Sequence, residues 1–91
     1  MSYTLDINGT RETGDLSVLQ VGANVKVRVF TNRIHMTSGF ESGIETVGVV
    51  TRVLTDDGEI FATIQSSDGK KSTLSFQSEE SKNTDRIVQK A

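Results

Sequence analysis

Cysteine, proline and tryptophan are absent from this 91-residue chain, and its single histidine is His35. The lack of cysteine excludes disulfide bonds, iron–sulfur clusters, thiolate zinc sites and cysteine nucleophiles. One histidine also excludes metal sites built from several histidines. No apolar run approaches the roughly 18 residues that a membrane-spanning helix needs, and no signal-peptide pattern opens the chain. We therefore expect a cytoplasmic protein without membrane contact.

The residues that are present favour strands over helices. Valine, isoleucine and threonine together number 27, against three alanines and five leucines. β-Branched side chains suit a pleated sheet better than a helix, and without proline every strand amide can donate a hydrogen bond. The 10 basic and 12 acidic side chains are too nearly balanced for a disordered chain. The composition predicts one all-β domain, and its small size favours a compact closed barrel.

Four segments alternate between apolar and polar residues with the period of two that marks a half-buried strand. They cover residues 24–30, 46–54, 59–66 and 71–76, and the apolar segment 86–89 is short enough for a closing strand. Turns that contain Asp-Gly follow the second and third segments, so the last three of the four should form a meander.

Residues 1–14 form an N-terminal arm ahead of the barrel domain, which we assign to residues 15–91. Three apolar residues alternate before Asn8-Gly9, and this dipeptide is a hairpin-turn signal. The return segment 10–13 is wholly polar, however. The pattern leaves two alternatives open, an edge hairpin or a frayed arm.

Residues 31–45 lack a strand period and contain two glycines and two serines. They predict a long loop after the first core strand, and loops of this length more often serve a function than not. Cationic and apolar side chains are mixed in this segment, as they are in many recognition loops.

Two stretches resemble a known family of small barrels. Residues 21–27 (VGANVKV) resemble the first strand of an SH3-like barrel, and residues 48–53 (GVVTRV) are similar to the Gly-Val-centred strand of KOW and Tudor-type modules. The resemblance covers roughly residues 16–90 and implies an SH3-like barrel of about five strands with a binding role. The chain departs from the KOW pattern because Glu41 and Glu45 replace a basic approach to this strand. It has too few aromatic residues for the cage of a methyl-lysine-reading Tudor domain.

The first functional hypothesis is a non-enzymatic module that binds a protein partner. Strand parity places Phe30, Val50 and Phe61 on the outward face, where they would form one apolar patch. The alternative is that the long loop or the N-terminal arm covers these side chains as a second, minor core. With the loop included, the predicted binding residues are Phe30, Arg33, His35, Met36, Phe40 and Phe61.

The second hypothesis is a KOW-like nucleic-acid-binding module that contacts phosphates through Lys26, Arg28, Arg33 and Arg52. The net charge of −2 and the isoelectric point of about 5.3 oppose attraction to a polyanion. These residues could equally be an ordinary solvated strand face.

The acidic residues Asp56, Asp57 and Glu59 fit a hairpin turn better than a metal site, since their spacing does not match a calcium-binding loop. No motif pairs a nucleophile with a base. We therefore predict no catalytic residues, no cofactor and no bound metal.

Overall fold

The computed structural model describes the backbone of residues 2–7, 10–35 and 39–91, and the side chains of residues 2–5, 11–30 and 45–91. The described residues form seven strands: β1 (Tyr3–Ile7), β2 (Thr10–Gly14), β3 (Asn24–His35), β4 (Gly39–Asp56), β5 (Glu59–Gln65), β6 (Lys71–Gln77) and β7 (Arg86–Lys90). Two short 3-10 turns, Leu16–Val18 and Glu80–Lys82, complete the structure. The all-β prediction is confirmed.

The strands form two antiparallel sheets. β1 and β2 pair with each other as a separate sheet. The other five strands form one sheet in the order β6-β5-β4-β3-β7. β4, β5 and β6 make the predicted meander, and β7 returns to pair with β3.

One apolar core takes a buried side chain from each strand of the five-stranded sheet. These side chains, at most 1% exposed, are Val25, Val27, Val50, Ala62, Ile64, Phe76 and Val88. β6 and β7 are the two edges of the sheet, yet Phe76 of β6 and Val88 of β7 belong to the same core cluster. The sheet is therefore strongly curled, as twisted small sheets are when they wrap around one core.

A β-bulge in β4 reverses the faces that the sequence predicts for the residues before it. Val50 pairs with Ile64 and Arg52 pairs with Thr63, which leaves Thr51 as an extra residue. Because one added residue exchanges the two faces, Val50 points inward and is fully buried. The prediction that Val50 points outward is wrong for this reason.

The predicted long loop over residues 31–45 is also wrong, because most of it is paired strand. β3 continues to His35 and β4 begins at Gly39, so the two strands make one long hairpin. Thr31 pairs with Glu41 and His35 pairs with Gly39, with irregular register between these pairs and the body of the sheet. Residues 36–38 lie outside the described residues.

The β7 edge of the sheet is covered by the N-terminal hairpin and the residue that follows it. The Tyr3 hydroxyl donates to the carbonyl of Arg86 at 2.9 Å and accepts from the amide of Val88 at 3.2 Å. The Asp15 amide donates to the Val88 carbonyl at 2.9 Å. In a larger sheet, a sixth strand next to β7 would form hydrogen bonds with these same backbone groups. Here Tyr3 and Asp15 form those bonds in its place.

The β6 edge is covered at one end by two side chains. The Asn83 side-chain amide accepts from the Gln77 amide at 2.8 Å and donates to the Gln77 carbonyl at 2.9 Å. The Arg86 guanidinium reaches from β7 and donates to the Ser75 carbonyl at 2.5 Å. The Arg86 bond connects the two edges of the curled sheet at this end, and the Asn83 bonds hold the β6–β7 connection against β6.

Gly48 allows β4 to approach the end of β5 closely, just before the bulge. A Cβ atom built at Gly48 would lie 2.2 Å from the carbonyl oxygen of Gln65 and 3.0 Å from the Ile64 side chain. The Gln65 carbonyl belongs to the backbone and cannot rotate away as a side chain can.

The substitution Gly48→Ala should therefore lower the free energy of unfolding by about 2–3 kcal/mol, as overpacked sites do. Gly22→Ala is the control, because Gly22 has open space around its Cβ position and a φ of +94°. Its strain alone should cost about 1 kcal/mol. Urea unfolding of both variants makes the comparison, and a smaller loss for Gly48→Ala than for Gly22→Ala would contradict the close approach.

Candidate functional site

The N-terminal hairpin covers part of the outer face of the five-stranded sheet. Tyr3 of β1 packs against Phe30 of β3 and Ile87 of β7, and the three form a second buried cluster. Leu5 and Leu16 pack at its margin. Phe30 is 7% exposed, so it cannot bind a partner in this arrangement. Its predicted outward strand face is correct, but the arm covers it.

Arg28 is engaged by the same hairpin. Its guanidinium lies 2.6 Å from a carboxylate oxygen of Glu12 on β2 and sits over the Phe30 ring, 5.6 Å from the ring centre. Each member of the ion pair keeps about a quarter of its side chain exposed. Arg28 therefore attaches the hairpin to the sheet and is not free to contact a phosphate.

The remaining predicted basic residues are separated. Lys26 is half-buried on β3, and Arg52 is exposed on β4 beyond the bulge. Arg33 has its backbone in β3, but its side chain lies outside the described residues. The structure thus leaves Lys26 and Arg52 as the available cations of the predicted set within the described side chains.

Most of the predicted loop residues fall outside the part of the structure that describes side chains. His35 ends β3 and Phe40 lies near the start of β4, so both belong to strands rather than to a loop. Met36 lies outside the described residues altogether. Of the predicted aromatic patch, Phe61 keeps a partly exposed side chain on the outer face of β5.

A different apolar surface runs along the outer side of β4. The four exposed large apolar side chains among the described residues are Val21, Val47, Val49 and Leu54, and three of them belong to this strand. Val47 and Val49 precede the bulge, where odd-numbered residues face outward. Leu54 follows the bulge, where even-numbered residues face outward, and it pairs directly with Phe61 of β5. We call Val47, Val49, Leu54 and Phe61 the outer stripe.

The first half of the outer stripe lies in a shallow groove. Val47 and Val49 line it together with Gln65 at the end of β5 and the turn residues Ser66 and Ser67. Strict alternation along β4 misses this surface because it does not allow for the bulge. If the outward positions 52 and 54 are extended towards the start of the strand, Val47 and Val49 are predicted to point inward. The adjacent valines 49 and 50 break the period of two, and this break was the available signal.

The acidic residues at the end of β4 form a hairpin turn. Asp56 pairs with Glu59, and the two central residues, Asp57 and Gly58, have φ angles of 49° and 78°. Positive φ at both central positions is the type I′ turn that Asp-Gly favours. Among the described residues, no group of three or more histidine, aspartate or glutamate side chains is arranged to hold a metal ion.

The titratable groups with shifted pKa values in the described part of the chain have structural partners. The Arg86 guanidinium holds the pKa of Asp85 below its usual range through hydrogen bonds. The Ser66 hydroxyl lowers the pKa of Asp68 within the β5–β6 turn. Burial raises the pKa of Tyr3 to about 12, and the hydrogen bond from the Val88 amide partly opposes this shift.

Comparisons of the chain with protein-family models, curated proteins and solved structures give no match. No helix within the described ranges is long and apolar enough to span a membrane.

The raised pKa of Tyr3 gives a direct test of the hairpin's position. Tyr3 is the one tyrosine in a chain without tryptophan, so the ultraviolet absorbance of phenolate reports on this residue alone. We expect its midpoint near pH 12 in the folded protein and near pH 10 in urea. Because the unfolded chain then loses its proton first, stability should fall as the pH rises from 10 to 12. A midpoint near pH 10 without urea would contradict the buried hydroxyl.

Proposed function

We propose that this chain is a non-enzymatic interaction module of the SH3-like barrel type, and that it binds a protein partner through the outer stripe. The observation that carries the proposal is the concentration of exposed apolar side chains on one strand, β4. Exposed apolar side chains gathered on one strand are costly to leave in water, and such a concentration often marks a site of protein association.

The strand arrangement supports a barrel. The last strand pairs with the first strand of the five-stranded sheet, and side chains from both sheet edges meet in one core. Arg86 of β7 joins the edges at one end by a hydrogen bond to the Ser75 carbonyl of β6. Such edge-to-edge bonding through side chains suits a small barrel that is closed without a complete backbone ladder.

The surroundings of the outer stripe favour a protein over a nucleic acid. The apolar residues have polar and charged neighbours, with Arg52 beside Leu54 and Lys26 paired across from Val47. An apolar centre with a charged rim is common in protein interfaces. The ion pair of Arg28 with Glu12 also removes one cation from the KOW-like alternative. The net charge of −2 opposes attraction to a polyanion.

The non-enzymatic proposal is supported by three of the shifted titratable groups among the described side chains, because each has a structural role. Tyr3 completes the β7 edge, Asp85 pairs with Arg86, and Asp68 belongs to a turn. A strongly shifted pKa indicates catalysis when the group faces a substrate site. None of these three groups belongs to the outer stripe.

Substitution within the outer stripe tests the proposal. Leu54→Ser and Phe61→Ala should each weaken binding of the partner about tenfold or more, because apolar residues at an interface centre contribute most of the affinity. Arg52→Ala, at the rim, should weaken it less. The matched control is Val21→Ser, since Val21 is 68% exposed and lies outside the stripe. Calorimetric titration with the captured partner would measure all four, and equal losses for Val21→Ser and Leu54→Ser would contradict the assignment.

Capture from the native lysate, with and without nuclease, identifies the class of partner. A stoichiometric protein that Leu54→Ser no longer retains, and that nuclease does not release, supports the proposal. We expect its affinity to change little with salt concentration, whereas phosphate contacts weaken steeply as salt rises. Nucleic acid that copurifies, and whose digestion releases every bound protein, would replace the proposal by the KOW-like alternative.

A further inference from the structure

The two edges of the five-stranded sheet differ in how far they are covered. The β7 edge is covered by the Tyr3 hydroxyl, the Asp15 amide and the β1–β2 hairpin. Along β6, β5 is the one described strand that pairs with it, and its other side faces away from the sheet. An uncovered edge strand is a ready template for another strand.

The covered part of the β6 edge ends at Ser75. Asn83 bonds both backbone groups of Gln77, and Arg86 bonds the carbonyl of Ser75. Gln77 and Ser75 therefore point their backbone groups away from β5. Backbone direction alternates along an antiparallel strand, so Thr73 and Lys71 point away as well.

Thr73 is the centre of the uncovered part. β6 begins at Lys71, immediately after the β5–β6 turn, and the Arg86 guanidinium reaches the edge at Ser75. Between these limits lie five residues, and the middle one, Thr73, is exposed and directs both its amide and its carbonyl outward. A strand segment whose central residue directs its backbone groups outward can pair in antiparallel orientation with a second copy of itself, about a two-fold axis at that residue.

We propose that a second copy of this chain pairs with this edge, β6 against β6 in antiparallel orientation, with the two-fold axis at Thr73. The two Thr73 residues would exchange amide-to-carbonyl hydrogen bonds. Each Ser75 amide would donate to the Lys71 carbonyl of the second copy, which leaves the Ser75 carbonyl to Arg86. The two curled sheets would then form one continuous sheet.

The side chains suit this register. Thr73 lies opposite Thr73 of the second copy, and threonine pairs are favourable across strands. Lys71 lies opposite Ser75, so no two like charges face each other. On the inner side, Leu74 lies opposite Ser72 and diagonally beside Leu74 of the second copy, which would cover two half-buried leucines. A register shifted by two residues would break this pattern by moving the pairing into the β5–β6 turn.

The edge carries few of the features that keep natural edge strands apart. The chain has no proline, β6 pairs with β5 without a register shift, and the charged residue of β6 is Lys71 at its start. Five paired residues per copy bury less surface than a standard interface. We therefore expect a weak dimer, with a Kd of roughly 10–100 µM.

Sedimentation velocity over a range of protein concentrations up to about 1 mM tests the pairing, a range chosen to span the expected Kd. The wild-type chain should pass from monomer to dimer. Thr73→Lys and Thr73→Glu should each raise the Kd about tenfold, because each puts two like charges opposite each other at the axis. An equimolar mixture of these two variants should form a heterodimer at least as tight as the wild-type dimer.

Thr63→Lys is the matched control. Thr63 is the β5 neighbour of Thr73 on the same outer face, and the two hydroxyls are hydrogen-bonded at 3.0 Å. Both lysine variants lose this bond and gain one positive charge, but Thr63 is not at the sheet edge. Thr63→Lys should therefore leave the dimer Kd within about twofold of wild type, since surface charges away from an interface change affinity little.

Three outcomes would overturn the proposal: a wild-type chain that stays monomeric over the whole range, a dimer equally weakened by Thr63→Lys and Thr73→Lys, or charge variants that do not associate when mixed. The proposal is independent of the outer stripe, because Leu54→Ser should lose the partner and keep the dimer.

Discussion

The position of the N-terminal hairpin on the five-stranded sheet depends on the Tyr3 hydroxyl. It bonds the Arg86 carbonyl and the Val88 amide, two backbone groups on an edge that has no neighbouring strand. A buried backbone group without a partner costs more than an ordinary hydrogen bond contributes, so this side chain holds the N-terminal hairpin in place, together with the Asp15 amide and the Arg28–Glu12 ion pair. Its ring occupies the space above Gly14, where a Cβ atom would lie 2.7 Å from a ring carbon. Once the hairpin is in place, Phe30 is buried and Glu12 can reach Arg28.

The parts of the fold that the sequence predicts are those set by local patterns. β3 and β5 alternate cleanly, so their core faces are correct, and Asp57-Gly58 forms the turn that this dipeptide favours. The long β3–β4 hairpin is missed because residues 31–45 do not alternate in the sequence, and their pairing is a property of two strands taken together. The bulge at Thr51 is missed because it is a property of the pairing with β5, and the strand read alone indicates it only through the adjacent valines 49 and 50.

The candidate site is predictable in part for the same reason. Phe61 lies on an uninterrupted strand, and its outward position follows from the pattern. Phe30 also has the predicted face, but its burial depends on Tyr3, which is 27 residues earlier in the chain. The availability of Arg28 likewise depends on Glu12 in another sheet. The alternation within a strand predicts which side chains point outward. Whether an outward side chain is exposed depends on contacts between distant segments, and exposure decides whether it can bind a partner.

The hydrogen bonds of Tyr3 also constrain the order in which the chain can fold. Tyr3 and Arg86 are separated by 83 residues, and Tyr3 and Val88 by 85. The β1–β2 hairpin is built from adjacent residues and can form early, but its docking surface does not exist until β7 has paired with β3. During synthesis the hairpin must therefore wait until almost the whole described chain has left the ribosome. Contacts of such long separation are formed slowly, so docking of the hairpin should be among the last events of folding.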